Sequence, residues 1–262
     1  MRPLPVLILG GSAEASVLAR RLAGDVRFAP VLSLAGRTKS PALPPIPHRI
    51  GGFGGVDGLI DWLEDPGADL LICATHPFAA QMRGHAVEAA RRTGKPLLMI
   101  ERPCWRAVEG DRWTLVADMS AAARALGKTP RRVLLTVGQK DLAPFAAASQ
   151  HVYTIRSIDP PADASVPPGA VVITARPPFA KADERRLMEA RGIEVLVTKN
   201  SGGTDAAAKL AAARALGVRV VMVGRPPPLD LEGVDATQAA DAAGAIAWLT
   251  ARHEAASKLL RV

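Results

Sequence analysis

The chain has 262 residues, 48% of them apolar, enough to bury a large core with room for two lobes of ordinary domain size, so a globular protein is expected. A formal charge of +8 favours anionic partners, but the basic residues are scattered and aromatics make up only 4%, which argues against nucleic acid and for a small, multiply charged anion. An arginine- and alanine-rich composition also follows from a GC-rich genome. No apolar run approaches the roughly 20 residues of a membrane span, Met1–Pro5 shows no signal-peptide pattern, and Cys73 and Cys104 lack metal-ligand spacing. The expectations are a cytoplasmic address, no membrane partner, reduced thiols and no metal.

In chain order, a strand at Val6–Leu9 leads through Gly10-Gly11-Ser12-Ala13-Glu14-Ala15 into a helix ending near Ala23. Further strands are expected at Phe28–Leu34, Leu70–Ala74 and Leu97–Ile100, with helices at Val56–Leu63 and Phe78–Thr93. That alternation predicts a doubly wound parallel sheet. Trp113–Val116 reads as a strand, Ser120–Leu126 as a short helix and residues 127–130 (GKTP) as punctuation. A second series has strands at Val133–Val137, His151–Ile155, Ala170–Thr174, Glu194–Thr198 and Arg219–Val223. Its helices lie near Leu142–Ala148, Ala182–Ala190, Thr204–Leu216 and Ala236–His253. The fold class is therefore α/β, with two Rossmann-like lobes, each a mostly parallel sheet flanked by helices, and a cleft between them. The expected division is an N-terminal lobe at 1–115, a linker at 116–129 and a C-terminal lobe at 130–262, whose last helix could cross back.

Ligands of such sheets lie beyond the carboxyl ends of the strands, so those loops hold the candidate residues. The first loop is a degraded dinucleotide fingerprint, with Gly10, Ser12 and Ala15 where glycines are usual; Ser12 also reads as a plain helix N-cap. At the end of the second strand stand Gly36-Arg37-Thr38-Lys39. Cations in place of an acid suit a 2′-phosphate, and hence NADPH over NADH, or else a substrate carboxylate. Gly51-Gly52-Phe53-Gly54-Gly55 permits close approach of a flat ligand or forms a solvent turn. Thr75-His76-Pro77-Phe78 places a histidine at a strand end, able to relay a proton or cap the next helix, whereas His48, His85, His151 and His253 lack such a setting. In the second half, the strand ending at Thr198-Lys199 opens through Asn200-Ser201-Gly202-Gly203-Thr204 into a helix expected from about Asp205. Free N–H groups and a lysine at one helix start suit an anion.

Taken together, GGFGG (51–55), ATHPFA (74–79), ERPCW (101–105), LLTVGQKDLAPF (134–145) and TKNSGG (198–203) resemble the precorrin-6A reductase family of cobalamin biosynthesis. The resemblance runs from the first turn to the last helix. It implies two Rossmann-like lobes, an NADPH donor and reduction of one double bond of a ring-contracted, carboxylate-rich tetrapyrrole to give precorrin-6B. Neighbouring enzymes of that pathway are implied as partners. The chain departs from the expected pattern at Cys73, where an acid is anticipated, so no charged role falls there.

The catalytic candidates are Lys199 and His76, as proton donors or orienters of water. Gly10, Ser12, Ala13, Glu14, Arg37, Thr38, Thr136, Gly138, Gln139, Asn200, Ser201, Gly202, Gly203 and Thr204 are candidates for the cofactor. Gly54, Arg102, Arg106, Lys140 and Arg176 are candidates for the substrate, the arginines because a guanidinium grips both oxygens of a carboxylate. A Tyr-x-x-x-Lys reductase is excluded, since Tyr153 is followed at that spacing by Ser157. Two alternatives stay open: a cobalt-precorrin-6A reductase, and a non-catalytic two-lobed nucleotide-binding protein.

Overall fold

The computed structural model describes residues 2–36, 43–162 and 166–259. The first half contains β1 (Leu4–Leu9), α1 (Ala13–Leu22), β2 (Phe28–Leu34), β3 (His48–Ile50), α2 (Val56–Trp62), β4 (Leu70–Cys73), α3 (Ala80–Thr93), β5 (Leu97–Ile100), β6 (Trp113–Val116) and α4 (Met119–Ala125). Then follow β7 (Arg132–Thr136), α5 (Ala143–Ala146), β8 (Val152–Ser157), β9 (Val171–Thr174), α6 (Lys181–Arg191), β10 (Val195–Lys199), α7 (Ala208–Ala215), β11 (Arg219–Val223), β12 (Ala236–Ala239) and α8 (Ala242–Leu259).

Two compact units result: Met1–Arg102 with Pro226–Val262, and Pro103–Arg225. Each has a six-stranded sheet, ordered β3-β2-β1-β4-β5-β12 in the first and β9-β8-β7-β10-β11-β6 in the second. Every pairing is parallel. Both follow the dinucleotide-binding order, in which the chain reverses direction across the sheet between its first and fourth strands. The sixth strand of each is out of sequence: β6 follows β5 but pairs with β11, and β12 follows β11 but pairs with β5.

Strand β1 shows why the sheet is sandwiched. Val6 and Ile8 pack with Leu18 and Ala19 of α1 and Ala245 and Leu249 of α8, while Leu7 and Leu9 pack with Leu59 of α2 and Val87 and Ala90 of α3. A run apolar at every position thus fills two cores on opposite faces, the mark of a strand covered on both sides. In the second unit Leu134, Leu196, Val220 and Met222 pack against Met188 of α6 and Leu210 and Ala213 of α7.

The boundaries differ from expectation. The units meet in sequence at Arg102/Pro103 and Arg225/Pro226 rather than at 116–129, because β6 joins the second sheet and β12 and α8 join the first. Residues 236–253, expected as one helix, begin as β12, whose Ala-Thr-Gln-Ala sequence carries no strand signal and is extended by its ladder to β5. Helix α8 starts only at Ala242, after Asp241 accepts the Gly244 N–H at 2.9 Å. The short edge strand β3, paired with β2, was also not anticipated.

Candidate functional site

At the start of α1, Ser12 adopts an extended conformation and its Oγ accepts the Ala15 N–H at 3.2 Å, as an N-cap does. Its hydroxyl donates to Ala74 O at 2.7 Å, tying the turn after β1 to the end of β4. At Gly10 an added Cβ would lie 2.7 Å from Leu32 Cδ1, so a larger residue there would displace that side chain. Ala13 begins the helix, and Glu14 in its first turn pairs with Arg102 Nη1 at 2.9 Å. A cofactor candidate and a substrate candidate are therefore bonded to each other.

A cavity of about 640 Å³ opens beyond the carboxyl ends of β1 to β4 in the first unit, at the point where the strand order reverses. Its wall is built from Gly10 and Gly11, residues 33–36, the glycine loop 50–55, and Thr75, His76, Phe78, Gln81, Met82 and His85. Gly51 and Gly54, at φ of +127° and +84°, would direct a Cβ at no atom within 4 Å. A side chain there would be strained and would enter the free space, so the glycines keep a cradle open. Among the described lining residues none is Asp, Glu, Lys or Arg.

The loop after β4 is closely determined. The Phe78 N–H donates to His76 Nδ1 at 3.2 Å, so a neutral imidazole carries its proton on Nε2. Beneath it Thr75 is buried and its hydroxyl lies 3.5 Å from Cys73 Sγ. Burial pushes the Cys73 thiol above its ordinary pKa, with the Thr75 hydrogen bond offsetting part of the rise. Cys73 is thus a neutral core thiol. Arg83, buried on α3, pairs with Glu101. The loop after β3 is held by Arg49, which donates to Ser33 Oγ at 2.8 Å, Gly51 O at 3.1 Å and Gly52 O at 2.9 Å, and lies 4.0 Å from the Phe53 ring centroid. Burial lowers its pKa from the usual guanidinium value.

Of the residues expected in the N-terminal lobe, Gly10, Gly54 and His76 line this cavity; Arg37 and Thr38 lie outside the described residues. His85 corrects the sequence reading, for it lines the cavity too. Gln81, Met82 and His85 fall on one face of the first turns of α3, a spacing visible in the sequence once the start of that helix is known. Arg49 and Ser33 had no comparable signal, because their pairing is a register between β2 and β3.

The second unit brings its expected residues together differently. Lys199, at the end of β10, lies 2.6 Å from Asp141 Oδ2, which also accepts the Gly138 N–H at 3.2 Å. Gln139 and Lys140 are exposed beside it, and Thr136 Oγ1 donates to Val197 O at 3.2 Å. Asn200 clamps a backbone: its Oδ1 accepts the Trp105 N–H at 2.8 Å and its Nδ2 donates to Trp105 O at 3.0 Å. Trp105 Nε1 returns a bond to Gly203 O at 2.8 Å, and Arg225 donates to Asn200 O and Ser201 O at 3.0 and 3.1 Å. Gly202, at φ +68°, would place a Cβ 2.1 Å from Pro103 O, so tight packing accounts for this glycine. Helix α7 begins at Ala208 rather than Asp205, after a turn in which the Ala207 N–H bonds to Thr204 O at 3.1 Å. Thr204 and Arg106 are exposed, and Arg176 lies 3.4 Å from Asp159. Among the described residues no group of His, Cys, Asp and Glu is arranged to hold a metal, and no helix is long and apolar enough to cross a membrane.

Residues 5–250 match the family model described as precorrin-6x reductase CbiJ/CobK. A precorrin-6A reductase from Sinorhizobium sp is 49% identical over 229 residues, spanning 87% of this chain and 88% of the relative. One from Mycobacterium tuberculosis H37Rv is 42% identical over 90% of this chain and 95% of its own length. A solved structure of CobK precorrin-6A reductase superposes with a TM-score of 0.88 at 45% identity, covering 95% of this chain and 97% of that one. With a family model spanning nearly its whole length and relatives this similar, the chain belongs to the precorrin-6x reductase family.

Proposed function

We propose that this protein reduces one double bond of precorrin-6A to give precorrin-6B, with NADPH as hydride donor, in cobalamin biosynthesis. Family membership supports the reaction class, and the observation that carries the cofactor is the open cavity at the strand reversal of the first sheet. Its chemistry fits a dinucleotide: a capped helix start after β1, a glycine cradle after β3, and no carboxylate among the described residues of the wall. Bound there, NADPH supplies the hydride; a proton must reach the neighbouring ring atom.

The protein's part is alignment, exclusion of water and delivery of that proton. Phe78 fixes His76 with its proton on Nε2, and we assign His76 to the protonation step. Gly11, Gly54 and Phe53 shape the space for the cofactor. Lys199, held by Asp141, together with Lys140 and Arg176, is assigned to the carboxylates of the tetrapyrrole.

The test is anaerobic turnover of precorrin-6A, following NADPH absorbance and product mass. Tetrapyrrole-dependent oxidation with gain of two hydrogens is expected, and His76→Gln should lower kcat about a hundredfold. No oxidation of NADPH in the presence of substrate overturns the reading; full activity of His76→Gln removes that residue from the reaction.

A further inference from the structure

At the end of β2 a dinucleotide site reads the ribose: an acid there suits a free 2′-hydroxyl, whereas a nearby arginine accommodates a 2′-phosphate. In this chain Ser33, Leu34 and Ala35 occupy that place on the cavity wall. Directly across the ladder from Ser33 stands Arg49 on β3. Its guanidinium touches Ser33, Gly51, Gly52 and Phe53, all of them lining residues.

Every one of those partners is formally neutral. By contrast Arg27, Arg83, Arg91, Arg92, Arg102 and Arg252 of the same unit each pair with a carboxylate. Arg49 is half-buried, donates hydrogen bonds to a hydroxyl and two carbonyls and lies over a ring face, none of which cancels a unit charge. Among the described residues it has no counter-ion, and a partly desolvated cation so placed is unfavourable by itself and favours an anion close by. Because the cavity wall has no acid among its described residues, Arg49 adds positive potential at the end of β2 that no described carboxylate of the wall cancels.

We propose that Arg49 is a specificity-determining residue that makes the cavity prefer a 2′-phosphorylated adenosine, through a charge held behind Ser33 that no described carboxylate compensates. The inference rests on the NADPH reading above. Arg49 acts as a positioning residue for the loop 51–55 as well, so its two roles must be separated. Calorimetric titration with adenosine 2′,5′-bisphosphate and adenosine 5′-monophosphate does this, since the two differ only in the phosphate at issue.

The wild-type protein should bind the bisphosphate more tightly. Arg49→Met, which removes the charge, should reduce that preference about ten- to a hundredfold while changing the monophosphate affinity less than about threefold. Arg49→Lys keeps a cation without the forked grip on two carbonyls and should retain most of the preference. Equal loss for both nucleotides, or an unchanged preference in Arg49→Met, overturns the role of Arg49 while leaving the cofactor reading intact. Failure of Arg49→Lys to hold the preference overturns the charge argument likewise. A wild-type protein indifferent to the 2′-phosphate overturns the NADPH reading itself.

Discussion

Gly51 and Gly54 of the first unit look onto open space, whereas Gly202 of the second is pressed against Pro103 O and Arg225 Nη2. The first pair follows the edge strand β3 and Gly202 follows the inner strand β10, yet both read alike as ligand-cradling glycines. In both an arginine holds two loop carbonyls. In the second unit Arg225 takes Asn200 O and Ser201 O, and Trp105 Nε1 takes Gly203 O, so the loop 200–203 is fastened by its own protein. In the first, Arg49 holds two carbonyls of the loop after β3 and leaves a cavity in front of it. Glycine after a strand therefore serves close packing in one place and open volume in another, and the difference lies in what faces the missing Cβ.

The contrast can be broken by substitution. Gly202→Ala adds a Cβ to a left-handed residue against a carbonyl and should cost about 3 kcal/mol or more of stability, read from chemical denaturation. Gly54→Ala meets no atom, so it should cost only about 1 kcal/mol, for backbone strain, yet weaken NADPH binding severalfold by entering the cavity. Equal destabilisation by the two would contradict the distinction. Asn200→Ala removes both bonds to the Trp105 backbone and should cost about 2 kcal/mol. If its main effect were instead on nucleotide affinity, the loop would be a ligand site first and a clamp second.

The smallest effect concerns pH. His151 is buried at 3% exposure beside Tyr153, and burial lowers its pKa from 6.5. Once the pH falls below about 6.5 the unfolded chain takes up a proton that the folded one refuses, so stability declines toward the folded pKa and is independent of this group above that range. His151→Gln should flatten the slope between pH 6.5 and 5 in thermal melts, and an unchanged slope would show that His151 is not its source.

Much was legible because it is local. The runs at 28–34, 97–100, 113–116 and 219–223 match their strands at both ends, since β-branched apolar segments bounded by turn residues have few other solutions. Ser12 as N-cap depends on its Oγ and the N–H three residues on, and was equally plain. His76 at a strand end was visible, but its neighbour in the cavity, His85, was not, for it lies in a helix whose cavity face depends on where that helix docks.

What the amino-acid order determined alone is the α/β alternation and two parallel sheets, properties of segments about ten residues long. Only the tertiary structure decided that β12 completes the first sheet and β6 the second, that Asn200 grips a backbone 95 residues away, and that Arg49 stands opposite Ser33. Those choices are pairings between distant residues, settled by which backbone groups and charges meet once the strands are side by side, and periodicity along the chain carries no record of them.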